Sequence, residues 1–214
     1  MEIVIVIAVI LLIIFIVVSV ARNSNSGGFI DPRDGQEYRT VKIGDQVWMA
    51  ENLNYEAEGI HTSYGQIYNW ETAMKVCPPG WHLPSNEEWR KLVYFVGHEI
   101  AGKKLKATNG WANNGNGTDN YGFSALPNLR GYSDGSYGTH GLVNGDSGYW
   151  WSSTNDKGYI FYVWSIWSDD AFLKESSASI LESYSVRCVQ DQGNGTEVLL
   201  KEKTETPLKE DFLL

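Results

Sequence analysis

The chain has 214 residues, a length that holds one sizeable domain with attachments and excludes a long repeat array. Lys and Arg number 17 against 26 Asp and Glu, a formal charge of -9 that sets nucleic acid aside as a partner. Aromatic residues make up 13% of the chain and Gly fills 22 positions, which suits short strands and turns over a rigid core and excludes disorder throughout. The first element is an apolar run over residues 3–20, without charge, Gly or Pro. At 1.5 Å rise per residue a helix of that length spans about 27 Å, close to the hydrocarbon core of a bilayer. Its many β-branched side chains favour a strand in water, but in lipid a lone segment satisfies its backbone only as a helix. An N-terminal hydrophobic helix over residues 1–22 is therefore expected.

Glu2 precedes the run and Arg22 follows it, so positive-inside counting alone would leave the remainder in the cytosol. Cys77 and Cys188 stand far apart, with no CxxC and no zinc spacing. They read as one long-range disulfide, which implies an oxidising compartment, or as reduced buried thiols. Charge and cysteines agree if a basic leader has been removed and Met1 opens a processed chain. An apolar helix with one acid beside its amino end resembles the mature N-terminus of type IV pilins, with Glu2 in the acidic role. Physics supports the same idea, because a segment apolar on every side is surrounded by lipid or by copies of itself. Copies in a head-to-tail contact that does not close make a fibre. Glu2 then needs a cation at its depth, and the Met1 amine of a neighbour supplies one. The expected assembly residues are Met1, Glu2, Ile3, Ile7, Ile10, Ile14 and Val17. A plain single-pass anchor is the alternative.

Residues 23–30 read as a flexible, Ser- and Gly-rich link, and residues 31–192 as the globular domain. Tyr38-Arg39-Thr40-Val41-Lys42-Ile43 and Gln46-Val47-Trp48-Met49-Ala50 alternate on either side of Gly44-Asp45, which predicts a β-hairpin. Residues 68–76 have helical spacing. Ser85-Asn86-Glu87-Glu88 is a capping box opening a second helix to about Val96, with Trp89, Leu92, Val93 and Val96 on one face. Gly, Asn, Asp and Ser dominate residues 97–148, which read as loops. Strands follow near 149–154, 159–167 and 184–190. The tail over 193–214 is free, or gives a strand from Glu197 to Lys201 to an adjacent subunit.

Six ordered motifs carry a resemblance. They are Asp31-Pro32-Arg33-Asp34-Gly35; Val47-Trp48-Met49-Ala50-Glu51-Asn52-Leu53-Asn54; Cys77-Pro78-Pro79-Gly80-Trp81-His82-Leu83-Pro84-Ser85; Gly122-Phe123-Ser124-Ala125-Leu126-Pro127; Tyr149-Trp150-Trp151-Ser152-Ser153-Thr154; and Ser185-Val186-Arg187-Cys188-Val189. Together they resemble the Fibrobacter succinogenes major paralogous domain, a relative of the C-type lectins. The resemblance implies an α+β fold of two helices, small antiparallel sheets and long loops behind the hydrophobic helix, and it implies a Cys77–Cys188 disulfide.

Candidate sites are sparse. A calcium ion needs hard oxygen donors. The lectin motifs that hold calcium find only fragments here, Trp167-Ser168-Asp169-Asp170 and Thr154-Asn155-Asp156, and both lack a partner, so no cofactor is expected; over residues 113–120 Asn114, Asn116, Thr118 and Asn120 alternate beside Asp119, which reads as a solvated turn, with a calcium loop as the alternative. Trp111, Trp164, Trp167 and Asp169 are the candidates for binding a surface glycan, with Trp70 as a further exposed-ring candidate. His61, His82, His98 and His140 are scattered, and no nucleophile elbow, HExxH or phosphate loop is present, so no enzyme is expected and no catalytic residue is assigned. The expectation is an extracellular, filament-forming subunit, membrane-inserted before assembly, whose partner is itself; a membrane-anchored glycan-binding or adhesion module is the alternative.

Overall fold

The computed structural model describes residues 25–62, 65–132, 137–138 and 145–192, together with Ile7, which is helical and exposed. The rest of the expected N-terminal helix and the tail over 193–214 lie outside the described residues. Among the described residues no helix is long and apolar enough to cross a membrane.

The hairpin forms where the alternation places it. Strands β2 (Glu37–Ile43) and β3 (Gln46–Met49) pair antiparallel, with Thr40 opposite Met49 and Ile43 opposite Gln46. Gly44 turns the corner at φ 65°, a left-handed conformation that costs glycine no clash. Part of the expected link is instead strand β1 (Ser26–Ile30), which runs antiparallel to β2 with Ser26 opposite Val41 and Ile30 opposite Glu37. Its Ser-Gly-Gly start carries no apolar alternation, so pairing to β2, and not local propensity, makes it a strand. β4 (Gly59–Thr62) and β5 (Gly65–Asn69) form a second short hairpin.

Helix α1 (Trp70–Val76) starts at Asn69, whose Oδ1 accepts the Thr72 N–H at 2.8 Å. Strand β6 (Trp81–His82) leads to α2 (Asn86–Val96), where the capping box is complete: the Ser85 hydroxyl accepts the Glu88 N–H, and the Glu88 carboxylate accepts the Ser85 N–H at 2.8 Å. Such a cap stabilises by about 1 kcal/mol. Trp89, Leu92, Val93 and Val96 are all buried, contributing roughly 8 kcal/mol as an upper bound. A 3₁₀ turn (His98–Ile100) then leads into α3 (Ala101–Leu105), a helix that lies inside the stretch expected to be loops.

The remaining strands are β7 (Arg130–Tyr132), β8 (Tyr137–Gly138), β9 (Ser147–Asp156), β10 (Ile160–Trp167), β11 (Lys174–Ala178), β12 (Glu182–Ser185) and β13 (Val189–Gln190). They complete a five-stranded sheet, β1-β2-β3-β13-β6, and an eight-stranded sheet whose main path is β11-β10-β9-β12-β5-β4. The single strand expected over 184–190 is split between the two. β12 belongs to the large sheet, β13 to the small one, and Val186, Arg187 and Cys188 cross between them. Leu53 N–H donates to Val186 O at 2.8 Å and Met49 N–H to Cys188 O at 3.0 Å, which stitches the crossing to the first hairpin.

The expected α+β layout of two helices and small antiparallel sheets is thus overturned: the described residues are mainly β, with three short helices, and β12 pairs parallel to β9 at Ser185 and Trp150. Strands β1, β4 and β11 are Gly-rich or polar and lie toward sheet edges, where one-sided burial leaves little apolar period to read. Two core clusters result. Trp48, Trp89, Leu92, Phe123 and Trp150 lead one; Tyr68, Trp151, Val163, Tyr184 and Val186 lead the other. The neighbours Trp150 and Trp151 supply opposite faces of β9, as strand alternation requires. The Cys77–Cys188 disulfide joins the end of α1 to the crossing, closing a separation of 111 residues.

Candidate functional site

Three of the four sequence candidates meet around a residue that the sequence did not mark. Lys106 follows α3 and is only 3% exposed. Its Nζ donates to Trp167 O at 3.1 Å, Ser168 O at 3.0 Å and Asp170 O at 3.0 Å, which uses all three N–H groups of an ammonium. The same Nζ lies 5.3 Å from the Trp111 ring centroid. Burial pulls the Lys106 amine down, and the charges of Asp170 and Asp169 work against that pull. Trp111, Trp167 and Asp169 therefore gather here, whereas Trp164 lies apart.

The loop over 111–120 is clamped against this centre. Gly117 N–H donates to Ala107 O at 2.8 Å and Thr118 N–H to Lys103 O at 2.9 Å. A Cβ on Gly117 would collide with Lys106 O, and one on Gly115 with Ser168 O, so glycine at both places is what lets the backbones approach.

Ring exposure separates the aromatic candidates. Trp111 is buried and its Nε1 donates to Ala125 O at 2.9 Å. Trp164 is buried, donates to Asn86 Oδ1 at 3.0 Å and stacks on Trp89. Trp70 is partly buried and donates to Ser152 O at 3.0 Å. Trp167 keeps 37% of its surface exposed, edge-on to Tyr149, and Asp169 beside it is exposed.

The donor set does not fit calcium. Asp119 spends its carboxylate on Ser124, accepting N–H at 2.8 Å and the hydroxyl at 2.7 Å. Asn116 Oδ1 accepts the Trp111 N–H at 3.0 Å. Asp170 accepts the Phe172 N–H at 3.0 Å and pairs with Lys174. The carbonyls of 167, 168 and 170 belong to Lys106. Among the described residues no group of three His, Cys, Asp or Glu side chains is placed to hold a metal. The side-chain oxygens of Asn116, Asp119 and Asp170 are thus committed within the fold.

A second centre joins three of the sequence motifs. A cleft of about 320 Å³ is lined by Glu37, Arg39, Glu51, Asn52, Asn54, Ser124 and Arg187, among others. Arg39 Nε pairs with Glu51 Oε1 at 2.7 Å on the rim. Arg187 is 1% exposed; its guanidinium donates to Asn52 Oδ1 and to Phe123 O and lies 4.3 Å from the Phe123 ring centroid. Burial pulls it down to about 9, against the opposing charges of Glu51 and Asp119. Asn54 Oδ1 is buried and has no hydrogen-bond partner among the described residues. The cleft thus carries the Arg39–Glu51 pair on its rim, above a buried Arg187 that Asn52 and Phe123 hold within the fold. One sequence signal pointed here: a basic residue set between Val186 and Cys188 in an otherwise apolar motif.

His82 completes the polar map. Nδ1 meets Asp191 Oδ1 at 2.6 Å and Nε2 meets Glu88 Oε1 at 2.8 Å, so the imidazole ties β6 to the start of α2 and to the residue following β13. Its structural role in the Gly-Trp-His-Leu-Pro motif follows from those contacts.

The model of the Fibrobacter succinogenes major domain matches residues 41–190, and the chain belongs to that family. Searches of curated proteins and of solved structures return no match.

Proposed function

We propose that this family member is an exported, non-enzymatic subunit of a surface filament, displaying the domain of residues 25–192 on an apolar segment that first sits in a membrane and then packs against its own copies. The observation that carries the proposal is the position of β1. The apolar run ends at Val20 and β1 starts at Ser26, so the chain between them reaches at most about 20 Å. A domain on so short a tether is held close to whatever surrounds residues 3–20, as an outer layer around a fibre requires. The disulfide supports an oxidising compartment. The pilin-like combination of Glu2 with the apolar run supports self-assembly over simple anchoring.

Electron microscopy of material sheared from the cell surface, with amino-terminal sequencing of what is released, tests this. Fibres that contain this chain are expected; release only as detergent-dependent single particles would contradict it. A second role, as a membrane-anchored module that binds surface glycans, is favoured by the exposed Trp167 ring and the polar cleft at Arg187. Retention of single particles on a glycan column is its signature.

A further inference from the structure

The segment at the end of β10 turns three backbone oxygens toward one centre, and the Lys106 ammonium fills it. The carbonyls of Trp167, Ser168 and Asp170 converge within 3.1 Å of one nitrogen. Carbonyl dipoles pointing at a common centre repel one another unless a cation lies there, and a ring of backbone oxygens is how proteins commonly gather hard cations. Asp169 and Asp170 add negative field from the same loop, and the Trp111 face adds its quadrupole. The backbone around the centre is drawn in closely: Asp119 N–H donates to Lys106 O, and Gly115 and Gly117 leave no room for a side chain.

We propose that Lys106 is the structural cation of this loop face, a covalently attached substitute for a bound ion, so that the face carrying Trp167 and Asp169 is built and held without calcium. Two consequences follow. Any partner that docks on this face does so in the presence of chelator. Removing the side chain while leaving room for it uncovers a cation site of carbonyl oxygens.

The test uses the full chain in detergent micelles, with the thermal midpoint read by near-ultraviolet circular dichroism. Wild type is expected to give the same midpoint in EGTA and in millimolar calcium. Lys106→Ala is expected to lose roughly 6–12 °C. Propylammonium chloride, which restores the missing stem and head as a free cation, is expected to return much of that loss, and tetramethylammonium chloride at equal concentration is not. Lys106→Met, which keeps the stem and deletes the charge, is expected to fall without rescue, and it carries the test if Lys106→Ala does not fold. A calcium-dependent rise in the wild-type midpoint overturns the proposal. So does a Lys106→Met midpoint equal to wild type, or a Lys106→Ala loss that propylammonium restores no better than its control.

Discussion

Arg187 Nη2 donates to Asn52 Oδ1 at 2.9 Å, and the same amide oxygen accepts the Trp150 indole N–H at 2.8 Å. Two neutral oxygens, this amide anchor and Phe123 O, thus hold a fully buried guanidinium that no carboxylate contacts directly. Removing the anchor strands a charge, whereas removing the charge strands only a neutral amide. Asn52→Ala is therefore expected to destabilise by about 3–5 kcal/mol, and Arg187→Met by clearly less. Thermal midpoints of the two variants check this; the reverse order would show that the guanidinium stabilises the crossing between the sheets by its own contacts.

The His82 seam sets a pH window. The Glu88 hydrogen bond raises His82 above 6.5 in spite of burial, with Asp191 adding to the rise. A raised imidazole stabilises fully below 6.5 and loses that contribution as pH climbs through its folded value. For Glu88, burial pushes upward, but the bonds from His82 and Ser85 outweigh it and hold the carboxyl near about 2. That contribution is present above 4.5 and fades as pH falls toward 2. Stability from this seam should be flat between 4.5 and 6.5. Because the imidazole is 39% exposed, the alkaline loss is expected to stay under about 1 kcal/mol. Midpoints measured across pH for wild type and His82→Gln check it: the variant should lack the decline above 6.5.

Closing the loop between Cys77 and Cys188 restricts the unfolded chain. With a separation of 111 residues, the chain-entropy model assigns about 4 to 5 kcal/mol. The double variant Cys77→Ala/Cys188→Ala should show a midpoint lower by roughly 10–15 °C than oxidised wild type, and added reductant should lower wild type to a similar value.

Glycine placement around Lys106 gives a local test. Gly115→Ala and Gly117→Ala each force a Cβ into backbone and should cost about 1–3 kcal/mol. Gly28→Ala in β1 meets open space and should leave stability within about 0.5 kcal/mol of wild type. Calorimetry on the three variants separates the two kinds of glycine.

Much of the frame around these sites was legible in one dimension. Gly44-Asp45 marked the hairpin, Ser85 with Glu88 marked the start of α2, and the 3.6-residue spacing of Trp89, Leu92, Val93 and Val96 marked its buried face. What escaped was structure imposed from a distance. β1 owes its conformation to β2, and α3 sits in a Gly- and Asn-rich context with only five residues of its own. The split between β12 and β13 cannot be seen in a run of uniformly buried residues, because both sheets demand burial. Lys106 escaped because its neighbours Lys103 and Lys104 make it look like part of a solvated basic patch. Trp111 and Trp164 were candidate ligand rings for want of any one-dimensional sign that their N–H groups find Ala125 and Asn86 inside the core.

The most direct measurement is sedimentation of the purified full chain in micelles over a wide range of protein concentration, beside a variant with Ile7→Ala and Ile14→Ala. Both changes keep the segment apolar enough to enter a micelle but thin its packing surface. A filament subunit gives assemblies that lengthen with concentration in wild type and shrink markedly in the variant. A wild-type chain that stays a single species at every concentration, indistinguishable from the variant, would contradict assembly through residues 3–20.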